Sequence, residues 1–215
     1  RSKIETEVSQ KVEVVDGVVY FQGKQLHNTI TERIMRMIKE GFNVGPMVSF
    51  LENLMENPSY RSIQDTYRFM EHNSLPITSD GHFLAYKRVT RDFKDCHTRT
   101  NDNSVGSTVE MGRGEVEDNP DVTCSDGLHF CSIGYLSHFY GDNIVILKIN
   151  PADVVSVPKC SDCQKLRTSK YKVVGHFEKK LEAPLVDDYY DGDEDWDSDS
   201  FNAGYDAALA ENELN

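Results

Sequence analysis

The chain has 215 residues, 38% of them hydrophobic, and a formal net charge of −13, which fits one domain of ordinary size with appendages. No apolar run approaches the ~20 residues that span a bilayer, and Arg1-Ser2-Lys3 leads into Glu5 and Glu7 rather than into a signal peptide. The acidity is local: beyond Lys180 there is no Lys or Arg, while twelve carboxylates fall between Glu182 and Glu213, so the remainder carries 23 basic against 24 acidic residues. A near-neutral body offers no footprint for a phosphate backbone, and direct nucleic-acid binding is not expected. Five cysteines without an export signal read as reduced thiols of a cytoplasmic protein, and an odd number cannot form a complete disulfide framework. The first residue is not Met, so an upstream segment is expected.

In chain order, Val12 and Val14 precede Asp16-Gly17, and Val18 and Tyr20 follow it. An Asp-Gly between β-branched runs predicts a hairpin. Thr29 and Glu32 form a capping box, and Ile30, Ile34, Met37 and Ile38 share one face, so a helix starts at Thr29 and ends at Gly41. Pro46 opens a second helix in its first turn, with Met47, Phe50, Leu51, Leu54 and Met55 as its apolar stripe, and Pro58 ends it. Ser62 is expected to cap a third helix running through about His72.

From His82 the period changes. His82–Val89 reads as a strand so continuously apolar that it should be central. Gly127–Cys131 reads as a short strand, Ser132–Tyr140 as a helical turn, and Asn143–Asn150 as the clearest strand. Val154–Val157 and Tyr171–Phe177 complete a sheet. Residues 94–126 are polar and rich in Gly, Asn and Asp, a long excursion in which Met111–Glu115 reads as a flexible turn. The fold class is therefore α+β: an N-terminal hairpin (1–27), a three-helix unit (28–74), a mixed, mostly antiparallel sheet domain (75–180) and an acidic tail (181–215). In the tail, Phe201, Tyr205, Ala208 and Leu209 sit at helical spacing, which suggests a short amphipathic helix on an acidic leash.

Few residues carry chemistry. Cys160 and Cys163 supply half of a zinc signature, and Cys96, His97, Cys124, His129 and Cys131 would have to complete it from scattered positions. The bland alternative makes Cys124 and Cys131 small buried hydrophobes and the Cys160/Cys163 pair a surface loop. A nucleophile at Cys96, Cys124 or Cys131 with His97 or His129 as base lacks an orienting third residue. No phosphate-binding glycine loop is present. The tail has the strongest argument for an interaction: its carboxylates, interleaved with Trp196, Phe201, Tyr205 and Leu209, suit a basic protein surface. Its rival reading is a solvated, solubilising segment.

Five ordered blocks carry a resemblance. They are NPSYRSIQDTYRFMEHNSLPITSDGHFLAYKRV (57–89), KDCHT with DNSVGSTVEM (94–111), CSDGLHFCSIGYLSHFYGD (124–142), NPADVVSVP (150–158) and YKVVG (171–175). Together they resemble the rIIB family of T4-like bacteriophages over roughly residues 12–178. The resemblance implies a phage protein of the infected bacterial cytoplasm, associated with lysis inhibition and host takeover, and with no complete catalytic constellation in the sequence a non-enzymatic role is expected. It further implies a companion of the rIIA type and an inner-membrane association made only through a partner. Long members begin with a helix-turn-helix-like segment, which nothing here matches. After Pro158 an Asp/Asn-rich loop is implied, where this chain has Lys159-Cys160-Ser161-Asp162-Cys163.

A more distant likeness links Tyr86-Lys87-Arg88, the Gly127–Ser132 block and Lys170–Val174 to ADP-ribosyltransferase folds. It implies a nucleotide cleft lined by Tyr86, Arg88, His129 and Tyr140, but Thr168, Ser169 and Lys170 stand where the late catalytic Glu belongs. The main reading requires no cofactor; zinc and a nucleotide belong to its rivals, and a structural phage component is a third reading.

Overall fold

The computed structural model describes residues 6–7, 9–26 and 29–177. The helix expected near 201–209 and the contact residues Trp196, Phe201, Tyr205 and Leu209 lie outside the described residues.

Four short strands, β1 (Thr6–Glu7), β2 (Val12–Val15), β3 (Val18–Phe21) and β4 (Lys24–Gln25), pair antiparallel in that order. Asp16 and Gly17 both take positive φ, 50° and 81°, the type I′ turn whose twist matches the strands it joins. Gln22-Gly23 repeats the device between β3 and β4, at 49° and 73°. Val14 lies opposite Val19 and Val12 opposite Phe21, so β3 faces inward through Val19 and Phe21, while Val18 and Tyr20 remain half-buried.

Three helices follow: α1 (Thr29–Glu40), α2 (Gly45–Met55) and α3 (Tyr60–Asn73). Gly41, at φ 79°, ends α1 in a Schellman arrangement: its N–H reaches the Ile38 carbonyl and that of Phe42 reaches Met37. Pro46 sits in the first turn of α2 as expected. The cap of α3 is Ser59 rather than Ser62. Behind Pro58 the backbone at Ser59 is extended, and its hydroxyl accepts the Ser62 N–H at 3.2 Å. Ser62 lies one turn inside, fully buried, donating its hydroxyl to the Val155 carbonyl at 2.6 Å.

The large sheet contains β5 (Phe83–Val89), β6 (Thr108–Glu110), β7 (Leu128–Cys131), β8 (Asn143–Ile149), β9 (Val154–Ser156), β10 (Lys165–Thr168) and β11 (Lys170–His176). Its spatial order is β6-β11-β8-β5-β7-β10-β9, so β5 is central, and each of these pairings is antiparallel. The fold is α+β. Strand β10 escaped the sequence reading because Lys165 and Arg167 look like surface residues, yet all four of its residues are buried.

A cluster of four rings joins helices to sheet. Phe83 on β5 meets Phe50 of α2 and Phe69 of α3 edge-on, each at 6.3 Å, and Phe130 of β7 at 5.8 Å. All four are at most 1% exposed, and such rings contribute about 2–3 kcal/mol each through burial. They belong to one contiguous apolar cluster that runs from Val12 to Val173. At the outer edge of the sheet, Asn57 and Arg113 take the Val154 carbonyl and Ser62 takes that of Val155. Strand β9 therefore presents a sealed edge rather than an open template. Among the described residues no helix is long and apolar enough to cross a membrane.

The turn before β5 rests directly on α2. Gly81 has φ 75°, and a Cβ there would lie 2.2 Å from the Ser49 carbonyl carbon, whereas one on Gly23 would meet nothing within 4 Å. Gly81→Ala should therefore lose about 3 kcal/mol or more in urea unfolding, and Gly23→Ala about 1 kcal/mol, the cost of the left-handed backbone alone. Equal losses would show that the turn does not need this close approach.

Candidate functional site

The excursion after β5 is a tethered strap. Asp95 begins it as a nest: its carboxylate accepts the backbone N–H groups of Thr98, Arg99, Thr100 and Asn101 and the Thr98 hydroxyl. Burial alone would push this carboxyl up, but those donors outweigh it and hold it at about 2. Further along, Asn103 accepts the Tyr171 hydroxyl. Arg113, expected in a flexible turn, instead donates to the carbonyls of Ala152 and Val154 and to Asn57 Oδ1 at 2.8–2.9 Å. The turn is a bolt because its guanidinium reaches across to β9.

The far end of the strap is held by Arg167, which is 0% exposed. Its Nη1 reaches the carbonyls of Glu117 and Asn119 and the Ser156 hydroxyl, and its Nη2 reaches the Val122 carbonyl. Its Nε donates to His129 Nε2 at 3.3 Å. Beside it, Lys165 donates to the Thr123 carbonyl at 3.2 Å. Two cavities flank this region. One of about 590 Å³ lies between the strap and the start of α3, lined by Ser59, Ser62, Arg113, Glu115, Glu117 and Asp126. The other, about 680 Å³, runs along the outer side of α3 past Tyr60, Arg61, Arg68, Pro120, Pro158 and Lys159.

Neither cavity is lined by Tyr86, Arg88, His129 or Tyr140. Tyr86 is 3% exposed and packs edge-on against Phe177 at 5.7 Å. Arg88 donates to the carbonyls of Leu136 and Gly141 at 2.8 and 3.0 Å, clamping the turn that carries Tyr140. The Cys96 thiol donates to the Tyr140 carbonyl at 3.2 Å, and the Tyr140 side chain itself is 89% exposed. The structure thus brings Arg88 to the Tyr140 segment through backbone, and His129 to Arg167.

Of the five thiols only Cys131 is buried; Cys124, read as a small buried hydrophobe, is exposed because it lies on the polar strap and not in the sheet. Cys131 is buried, and burial pushes its thiol up to about 12. Burial, reinforced by Lys87, Arg167, Lys165 and His97, brings His129 down to about 3. A thiol pushed this high forms little thiolate, and an imidazole pushed this low is a weak base. Cys160 is exposed and Cys163 half-buried, and among the described residues no three His, Cys, Asp or Glu side chains converge as metal ligands.

Residues 1–187 match the family model described as Bacteriophage T4 protein rIIB. The chain belongs to that family. It is 39% identical over 176 residues to protein rIIB of Enterobacteria phage T4, an alignment covering 81% of this chain and 56% of that protein. The chain thus spans little more than half the length of the curated relative it matches. No solved structure matches it.

In this rIIB-family chain the residues that sequence reasoning missed are cations. Lys87, Arg113, Lys165 and Arg167 each hold backbone carbonyls across long separations, and nothing in composition or period distinguishes them from surface Lys and Arg. Asp95 stood inside the KDCHT block with no sign of its nest. Because its folded value lies below the ordinary carboxyl value of 3.8, it adds stability above about pH 4 that fades as pH falls towards 2. Asp95→Asn should lose about 1–2 kcal/mol at pH 7, after allowance for solvent screening, and show a flatter stability profile between pH 4 and 2. Parallel profiles for the two proteins in acid urea titrations would refute the nest.

Proposed function

We propose that this chain is a non-enzymatic phage accessory protein that acts by protein–protein contact in the infected bacterium, in lysis timing or in blunting host defence. Family membership supports the setting. The observation that supports the reading is that the expected nucleotide cleft is filled: Tyr86 is buried against Phe177, and the Arg88 guanidinium is bound to the carbonyls of Leu136 and Gly141. In this reading the tethered body is a scaffold. The acidic segment 182–215, with Trp196, Phe201, Tyr205 and Leu209, grips a basic surface on a host protein or on a companion of the rIIA type. Any inner-membrane association comes through that partner.

Lysis time and co-purification from infected cells test this together, comparing the full chain, the chain ending at residue 181, Cys131→Ala and Cys96→Ser. Truncation is expected to lose a specific basic partner and to shift lysis time. Both cysteine variants should retain the partner and the timing. Loss of the effect in a folded cysteine variant, with the truncated chain still active, would replace contact by chemistry.

A further inference from the structure

The two cavities beside α3 adjoin across one ion pair. Asp118 lines the cavity of about 590 Å³ and Arg61 the one of about 680 Å³, and Arg61 Nη2 reaches Asp118 Oδ2 at 3.2 Å with both side chains exposed. A pair so open to solvent is worth little and yields to a competing charge, so the cavities make one groove between α3 and the strap. Val157, Pro120 and Pro158 supply apolar wall to its outer half, and Tyr60, 77% exposed, offers a ring with nothing over it among the described residues.

Seven carboxylates line this groove against four cations. Arg113 is committed to the carbonyls of Ala152 and Val154, and Lys159 to Asp121 at 2.7 Å, so the charge left over is negative. Asp65 is the least engaged carboxylate. It is half-buried, it accepts no hydrogen bond among the described residues, and its ion pair with Arg68 spans 3.7 Å. Since no fully buried side-chain oxygen there lacks a partner, the free oxygens of Asp65 open on the groove. Asp162, held at a φ of 46°, acts on the same Cys163 thiol as Asp65, so two carboxylates meet at one end of the groove. Burial pushes the Asp65 carboxyl up, which means that its ionised form costs stability at neutral pH and is not kept for the fold.

We propose that this groove binds an extended, arginine-bearing segment of a protein partner, with Asp65 anchoring a guanidinium and Tyr60 covering it. A guanidinium presents a planar pair of donors to a carboxylate and stacks on an aromatic face, where an ammonium offers only a point charge. The exposed Arg61–Asp118 and Lys159–Asp121 pairs can exchange partners as the segment enters, at little cost. The inference deepens the contact reading above by naming what a partner would insert. It rests on residues 59–163 and does not need the acidic segment 182–215 to act.

Amide nitrogen–proton spectra of the full chain, titrated at constant ionic strength with an acetylated and amidated tetra-arginine peptide, read the groove and the acidic segment separately. The amides of Gln64, Asp65 and Asp162 should shift and saturate, while the citrulline counterpart of the peptide, alike in shape but uncharged, should move none of them. Asp65→Asn should raise the half-saturating concentration roughly tenfold, as loss of a charge-assisted hydrogen bond would, and should unfold in urea no earlier than the parent. Unmoved groove amides in the parent overturn the proposal whatever the variant does. Shifts confined to residues 182–215 also overturn it, and leave the contact reading in place. A folded Asp65→Asn chain that binds like the parent, or one that unfolds markedly earlier, removes Asp65 as the anchor and the proposal with it.

Discussion

A single buried guanidinium organises the sheet half of this protein. Arg167 lies on a four-residue strand with no exposed surface, and transferring such a charge from water is costly unless its donors find acceptors. The chain supplies them from backbone. Carbonyls of Glu117, Asn119 and Val122, the Ser156 hydroxyl and His129 Nε2 surround the planar fork, and their directions suit arginine and not lysine. Those acceptors come from β7, β9 and the strap, so removing the guanidinium would leave three separate segments with unmet polar groups at once.

The same solution recurs nearby at smaller scale. Arg113 bolts the strap to β9, Lys165 takes the Thr123 carbonyl, Arg88 clamps the turn after residues 133–138, and Lys87 fills the gap where β5 and β7 part. Cations tied to carbonyls fix loops without adding carboxylates, and one consequence is a positive interior. Burial, reinforced by that field, keeps His129 neutral.

Much of the fold was legible where local chemistry and burial agree. The Asp16-Gly17 turn, the Gly41 helix end, the apolar run of β5 and the Ile/Val-rich run of β8 each state their conformation in residue types. Legibility failed where long-range contacts decide. Ser62 resembles a cap, but the extended backbone behind Pro58 places the cap at Ser59 and turns Ser62 inward to β9. Lys165-Leu166-Arg167-Thr168 has the composition of an exposed strand and becomes interior only because the strap folds over it. Of the expected cleft, Tyr86 proved to be core and Tyr140 surface, since their positions follow from the pleat of β5 and the clamp of Arg88, neither visible in one dimension. Membership of the rIIB family was legible because it rests on ordered blocks rather than on any one residue.

The direct test of this account is native-state hydrogen exchange on Arg167→Met, a substitution that keeps the side chain's apolar length and removes its donors. If the guanidinium holds the strap, the amides of Val116, Glu117 and Val122, which are bonded within the strap, should lose roughly tenfold or more in protection. Those of Phe83–Val89 in the central strand should change far less. Unchanged protection at Glu117 and Val122 in a folded variant would contradict the claim that this one buried charge organises the sheet.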